Sequence, residues 1–154
     1  MGCDVLTYNQ IGPAHGQARY ADYPAGALDR AIQPVFAAQV HEHLLINHYR
    51  VAGTGESVII SDFLARQRFH RLGPYAAFFR AIPVEHQIAI SLPGPSQEVI
   101  RIASSRSRRD FFDQDRALLN VLRAATLLRA RRRQQAGQGP DGPATCGNQW
   151  LVVA

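Results

Sequence analysis

Histidines and acids that could bind a metal or move a proton cluster at two places in this 154-residue chain. His41-Glu42-His43 with His48 is the densest group. On a helix, His41 and His43 project about 200° apart at ~3.6 residues per turn and cannot clamp one ion together. His41 and His48 share a face but lie about 10 Å apart along the axis. The run is not HExxH, so the reading is of helix-surface histidines and no metal site. Asp110, Asp113 and Asp115 bring carboxylates together, but at the expected start of a helix they act as caps and as partners of the positive helix end. Gly53-Thr54-Gly55-Glu56 lacks the further glycine and Gly-Lys-Ser/Thr of a phosphate loop. There is no GxSxG, and Cys3 and Cys146 fall in terminal segments. No enzyme activity and no cofactor are expected.

Two sets remain. Phe63, Phe69, Tyr75 and Phe79, with His86 as the polar member, read either as core packing or as the lining of a small-molecule pocket, since pockets are built from aromatics with a few polar groups. The arginines Arg106, Arg108 and Arg109, and then Arg129, Arg131, Arg132 and Arg133, flank the last helix. They read as a solvated basic face, as complements to the negative helix end, or as a contact for nucleic acid.

All 17 basic residues are arginine, which points to a GC-rich coding genome more than to guanidinium chemistry. Residues 1–100 carry 7 Arg and 8 acids, whereas residues 101–133 carry 10 Arg and 3 acids. The net charge of +5 is therefore concentrated in one late segment. No recognition helix accompanies it, so sequence-specific DNA binding by this chain is not expected. With 46% hydrophobic residues the chain can build a core. It has no ~20-residue apolar run and no secretory leader pattern, so the expectation is a soluble cytoplasmic protein with no membrane contact.

The elements that must position these residues follow from local pattern. Val5, Leu6, Thr7, Tyr8 and Ile11 predict a first strand closed by Gly12-Pro13, and Ala18–Tyr23 a second, weaker one. Residues 27–49 read as helical, with Pro34 starting or kinking a helix. Ser57–Ile60 is a short β-branched run, and Ser61 or Asp62 can cap a helix through Arg68. Gly73-Pro74 restarts a helix carrying Tyr75, Phe78 and Phe79. The period then changes to 2: Ile88, Ile90 and Leu92 share one face of a strand, and Gln87, Ala89 and Ser91 the other. Pro93-Gly94-Pro95-Ser96 turns the chain into a partner strand, Val99–Ser104. Asp110 or Asp113 caps a last helix, in which Leu118, Val121, Leu122, Ala125 and Leu128 form an apolar stripe with Arg116, Asn120 and Arg123 away from it. Residues 1–133 are read as one domain and 134–154 as a flexible Gly/Pro/Gln-rich tail.

This order, with the motifs ISDF (60–63), RxxFHR (66–71) followed by Tyr75, VEHQIAISLPGP (84–95), SRSRRDF (105–111) and DRALLNVLR (115–123), resembles the amino-terminal GAF-like sensor region of LuxR-type transcriptional regulators. The likeness covers roughly residues 40–128, and Arg123-Ala124-Ala125-Thr126 departs from the Arg-Pro-His-Leu common at that place. It implies an α+β fold of the GAF kind: an antiparallel sheet packed with helices and closed by a C-terminal amphipathic helix. It also implies a small-molecule effector bound between sheet and helices; the apolar stripe on the last helix offers the alternative of a ligand-free module that dimerises with itself or with a partner regulator. Such regulators continue into a helix-turn-helix domain. Only 21 residues follow Arg133 here, so the resemblance implies a sensor module without its output domain, whether a natural single-domain relative or a truncated product.

Overall fold

The computed structural model describes residues 2–12, 18–29, 31–82, 84–94 and 98–136. It is an α+β fold built on one five-stranded sheet. The strands are β1 (Val5–Ile11), β2 (Ala18–Tyr23), β3 (Val58–Ile59), β4 (His86–Pro93) and β5 (Val99–Arg106), in the order β2-β1-β5-β4-β3. Every neighbouring pair is antiparallel. The predicted hairpin is β4–β5, with Ala89 opposite Ala103 and Ile90 opposite Ile102. Its turn, residues 95–97, lies outside the described residues.

Both faces of the sheet are covered. Thr7, Asn9, Ile11, Gln87, Ala89, Val99, Arg101 and Ala103 alternate onto one face by the two-residue period and pairing register. Against it pack α1 (Ile32–Gln39), α2 (Leu44–Ala52), α3 (Arg66–Phe69) and a π-helical turn, Tyr75–Phe79. Ile88, Ile90 and Ile102 occupy the other face, where Phe111 and Leu119 complete a second apolar cluster under α4 (Asp113–Ala136).

Pro34 is tolerated as the third residue of α1, because the first turn leaves its amides unbonded inside the helix in any case. The break in the helical stretch 27–49 falls instead at His43, whose backbone is extended (φ −70°, ψ 113°) between a 3₁₀ turn at Val40–Glu42 and α2. Helix α2 buries Leu45, Ile46 and Tyr49 and ends on Gly53 at φ 65°, the left-handed conformation glycine adopts without a Cβ penalty. The wide π turn brings two successive aromatic side chains, Phe78 and Phe79, into the core.

Asp62 does not cap a helix running through Arg68. Its carboxylate accepts the Ile59 amide at 2.8 Å, closing a 3₁₀ turn, and α3 is a separate four-residue helix. Nor does Asp113 cap α4: it is the first residue of the helix, and its side chain pairs with Arg116 at 3.6 Å. Asp115 reaches back from the first turn to the Phe112 amide at 3.1 Å, and Asp110 takes the Phe111 amide at 2.7 Å.

Helix α4 docks with its polarity inverted relative to the usual amphipathic helix, which buries its apolar stripe. Leu118, Val121, Leu122 and Leu128 are 46–66% exposed, and Leu119 alone of the apolar residues between 118 and 128 is buried. The face towards the sheet carries Arg116, Leu119, Asn120 and Arg123. Asn120 Oδ1 accepts the Ser57 amide at 2.8 Å, Arg116 donates to the Ser57 carbonyl and pairs with Asp62, and Arg123 Nε donates to the Ser91 carbonyl at 2.8 Å. The reason lies in the sheet edge. Strand β3 is two residues long, so backbone groups beside it need partners from elsewhere. Gly55 permits this approach: a Cβ there would stand 2.1 Å from the Ser91 carbonyl oxygen and 2.6 Å from the Arg123 guanidinium. The helix continues three residues beyond the expected domain end at 133, and residues 137–154, most of the expected tail, lie outside the described residues.

Candidate functional site

Strands β1, β2 and β5 present polar side chains to the helix-covered face in rows across the sheet. Register places Tyr20, Asn9 and Arg101 in one row, Asp22, Thr7 and Ala103 in the next, and then Val5 and Ser105. Gln87 faces Ser105 from β4. Over these rows lie Leu28, Ile32, Phe36, Phe78 and Ile82, enclosing a cavity of about 30 Å³. The cavity shares Val5, Ile32, Ile82 and Ser105 with a groove of about 760 Å³ lined by α1, Ala77, Ala81, Ile82 and Val84, and the start of β1 and end of β5. Groove and cavity therefore adjoin across these four shared residues.

Several polar groups here are internally satisfied. Asn9 Nδ2 donates to Thr7 Oγ1 at 3.3 Å, and Gln87 Nε2 donates to Ser105 Oγ at 3.1 Å. Three are not: Tyr20 Oη, Gln87 Oε1 and Arg101 Nε are buried without a hydrogen-bond partner among the described groups. Buried polar atoms are nearly always bonded, so three orphans on one cavity wall mark the place as unusual. Burial raises the Tyr20 hydroxyl pKa, with a smaller opposing effect of Arg101, which leaves a neutral hydroxyl.

Arg101 is 2% exposed and meets His43, its Nη1 lying 3.2 Å from Nε2. Burial lowers its pKa to about 10, still well above neutrality. Burial, and then the guanidinium, hold His43 well below its ordinary range, so the ring is neutral and able to accept. Phe36 and Phe79 wall it in at ring distances of 5.7 and 5.3 Å. His43 is thus an interior residue, in contrast to the helix-surface position expected for it, because the backbone break turns it inward.

The residues singled out from sequence are placed elsewhere. Phe69 and Phe79 pack against each other in the main core at 5.2 Å. Phe63 is 39% exposed beside His48. Tyr75 donates to Glu85 Oε1 at 2.9 Å and stacks on His70 at 4.2 Å. His86 lies on the α4 face of the sheet, 3.4 Å from Asp110. None of the five lines the cavity or the groove.

Two other charged clusters are structurally saturated. Glu85 takes hydrogen bonds from Tyr75, His70 and Arg66; burial raises its pKa, but these bonds outweigh it and the net shift is downward. Arg106 forms two bonds of 3.1 Å with Asp115 and lies over the Phe111 ring at 4.1 Å. Among the described residues no three His, Cys, Asp or Glu side chains gather as metal ligands, and no helix is long and apolar enough to cross a membrane. What the cavity offers chemically is a fixed positive charge, a neutral hydroxyl and an amide carbonyl in an apolar frame. These groups suit recognition of a ligand.

No protein-family model and no curated protein matches the chain. A solved structure does. The fold is similar to the crystal structure of the VqsR LBD (ligand-binding) domain from Pseudomonas aeruginosa, with TM-score 0.63 and 12% identity over 86% of this chain and 78% of that one. At that identity the likeness is one of fold.

The signal for the missed residues was present in β5. Val99, Arg101 and Ala103 share a face of a strand whose other face carries Ile100 and Ile102. A charged residue at the centre of a strand apolar on both faces must meet a partner inside the protein. The rest of the cavity wall, Tyr20, Asn9 and Gln87, carries no local mark.

Proposed function

We propose that this chain is a non-catalytic cytoplasmic sensor domain, related to the ligand-binding regions of LuxR-type regulators, that binds a small-molecule effector between the β1–β2–β5 face and α1. The observation that carries this reading is the cavity whose wall holds three buried polar atoms with no hydrogen-bond partner among the described residues. A ligand would supply those partners. The sequence motifs and the likeness of fold to a ligand-binding domain support the same reading from separate directions. Ligand entry biases the packing of α1 and the 75–82 segment against the sheet, and so the population of one arrangement over another.

A thermal-shift screen against a diverse metabolite library tests it. At least one compound should raise Tm with increasing concentration, as binding to the folded state alone requires, and Phe36→Trp should abolish that shift by filling the cavity. A clean negative across the library would overturn the ligand reading.

A second reading rests on α4. Its outward stripe of Leu118, Val121, Leu122 and Leu128 is exposed among the described residues, which favours a dimerisation surface, for a second copy or for a related regulator. Size-exclusion chromatography with light scattering decides: a strict monomer at high concentration removes the homodimer.

A further inference from the structure

Two arginines of β5 are buried to a similar degree and treated differently. Arg106, 6% exposed, has Asp115 as its counter-ion. Arg101, 2% exposed, has His43, a neutral ring, and among the described residues no carboxylate pairs with it. A buried cation without a counter-ion is costly, because desolvation is not repaid by a nearby opposite charge. The carboxylate on the cavity wall, Asp22, is engaged by the Leu28 amide at 2.9 Å and lies one row away from Arg101. Arg101 Nε and Tyr20 Oη, in the same row, both lack a hydrogen-bond partner among the described residues.

We propose that the cavity takes an organic anion: a carboxylate held by the free Nε edge of Arg101 and the hydroxyl of Tyr20, with an apolar body lying against Ile32, Phe36 and Ile82 towards the groove. This deepens the sensor reading above and rests on it. The cavity's 30 Å³ admits a head group of roughly one or two waters' volume, so the body must extend past Ile32 and Ile82 into the adjoining groove. The Gln87–Ser105 row lies four residues along β5 from Arg101, about 14 Å at ~3.4 Å per residue. Gln87 Oε1, unpartnered at that end, adds an acceptor for a donor on the ligand's far part. The class is a medium-length, largely apolar carboxylic acid.

The test uses the full chain and two matched probe pairs, octanoate with octanamide and 4-phenylbutyrate with its primary amide, measured by thermal shift and calorimetry at pH 7. The expected result is that at least one acid raises Tm while its amide binds at least about tenfold more weakly, the difference a charge-assisted bond provides. Arg101→Met should lose that binding and, without ligand, melt higher than the wild type, because an uncompensated buried charge has been removed. Arg101→Lys should keep the preference for acid over amide with weaker binding, and it carries the test if the methionine variant fails to fold. Equal binding of acid and amide, or acid binding unchanged in Arg101→Met, overturns the anion proposal and leaves a small-molecule sensor. If no acid binds, the anion proposal falls. Neutral hits in the metabolite screen would then keep the sensor reading, and their absence would remove it as well.

Discussion

The guanidinium of Arg101 faces the imidazole of His43 across 3.2 Å inside the protein. The two residues are 58 positions apart in the chain and are brought together by the fold of α2's leading edge over β5. A neutral histidine there is a consequence of burial and of the neighbouring positive charge, in that order.

This pairing sets a pH dependence. The unfolded chain takes up a proton on His43 as pH falls below about 6.5, while the folded protein, whose His43 pKa lies well below that value, does not. The unfolded state then binds more protons, so stability falls with decreasing pH from about 6.5 downward, at up to about 1.4 kcal/mol per pH unit. Urea denaturation at pH 7.5, 6.5 and 5.5 measures the slope. His43→Gln, which cannot titrate, should flatten it.

Asp115 titrates in a separate window. Burial raises its pKa, but hydrogen bonds from Arg106 and the Phe112 amide outweigh this and lower it below 3.8. Its contribution is therefore present above about pH 4 and is lost as pH falls through the folded value. At neutral pH Asp115→Ala leaves Arg106 buried and unpaired, at an expected loss of about 3–5 kcal/mol. Chemical denaturation of the variant at pH 7 provides the number, and a loss under 1 kcal/mol would show that the pair contributes little.

The inverted docking of α4 predicts opposite outcomes one residue apart or three. Leu119→Ala should cost about 2–5 kcal/mol, as other buried leucine truncations do. Leu118→Ala and Leu122→Ala should leave a monomer's stability within about 0.5 kcal/mol. If the outward stripe pairs two copies, these exposed substitutions instead make the melting temperature less dependent on protein concentration. Denaturation curves at two concentrations distinguish the cases.

Gly55→Ala tests the close approach of the sheet edge to α4. The added Cβ would stand 2.1 Å from the Ser91 carbonyl oxygen and 2.6 Å from the Arg123 guanidinium, so the backbone at 55 and 91 must move apart and Arg123 must shift with it. An overpacking cost of about 1–3 kcal/mol is expected. Arg123→Ala combined with Gly55→Ala should cost less than the sum of the two, because the pair shares one contact.

What the sequence by itself determined is what local pattern decides. The β4–β5 hairpin follows from the alternation in β4 and the Pro-Gly turn after it, β1 from a run with β-branched and aromatic residues closed by Gly-Pro, and β2 more weakly from an extended stretch ending at Pro24, because strand faces and turn chemistry are set within a few residues. The existence of α4 and its stripe were equally legible, since helical periodicity is internal to the helix. Tertiary structure alone decided which face of α4 docks. That choice depends on the bare backbone groups around Ser57 and Ser91, far away in the chain, and hydrogen-bonding partners for them outweighed burial of the apolar stripe. The candidate site has the same origin. Arg101 became a cavity residue because β5 is central and covered on both faces, and its partners Tyr20, Asn9, Gln87 and His43 arrive from β2, β1, β4 and the α2 leading edge. No spacing in the chain encodes that meeting, because it is produced by strand order, register and a single backbone break at His43.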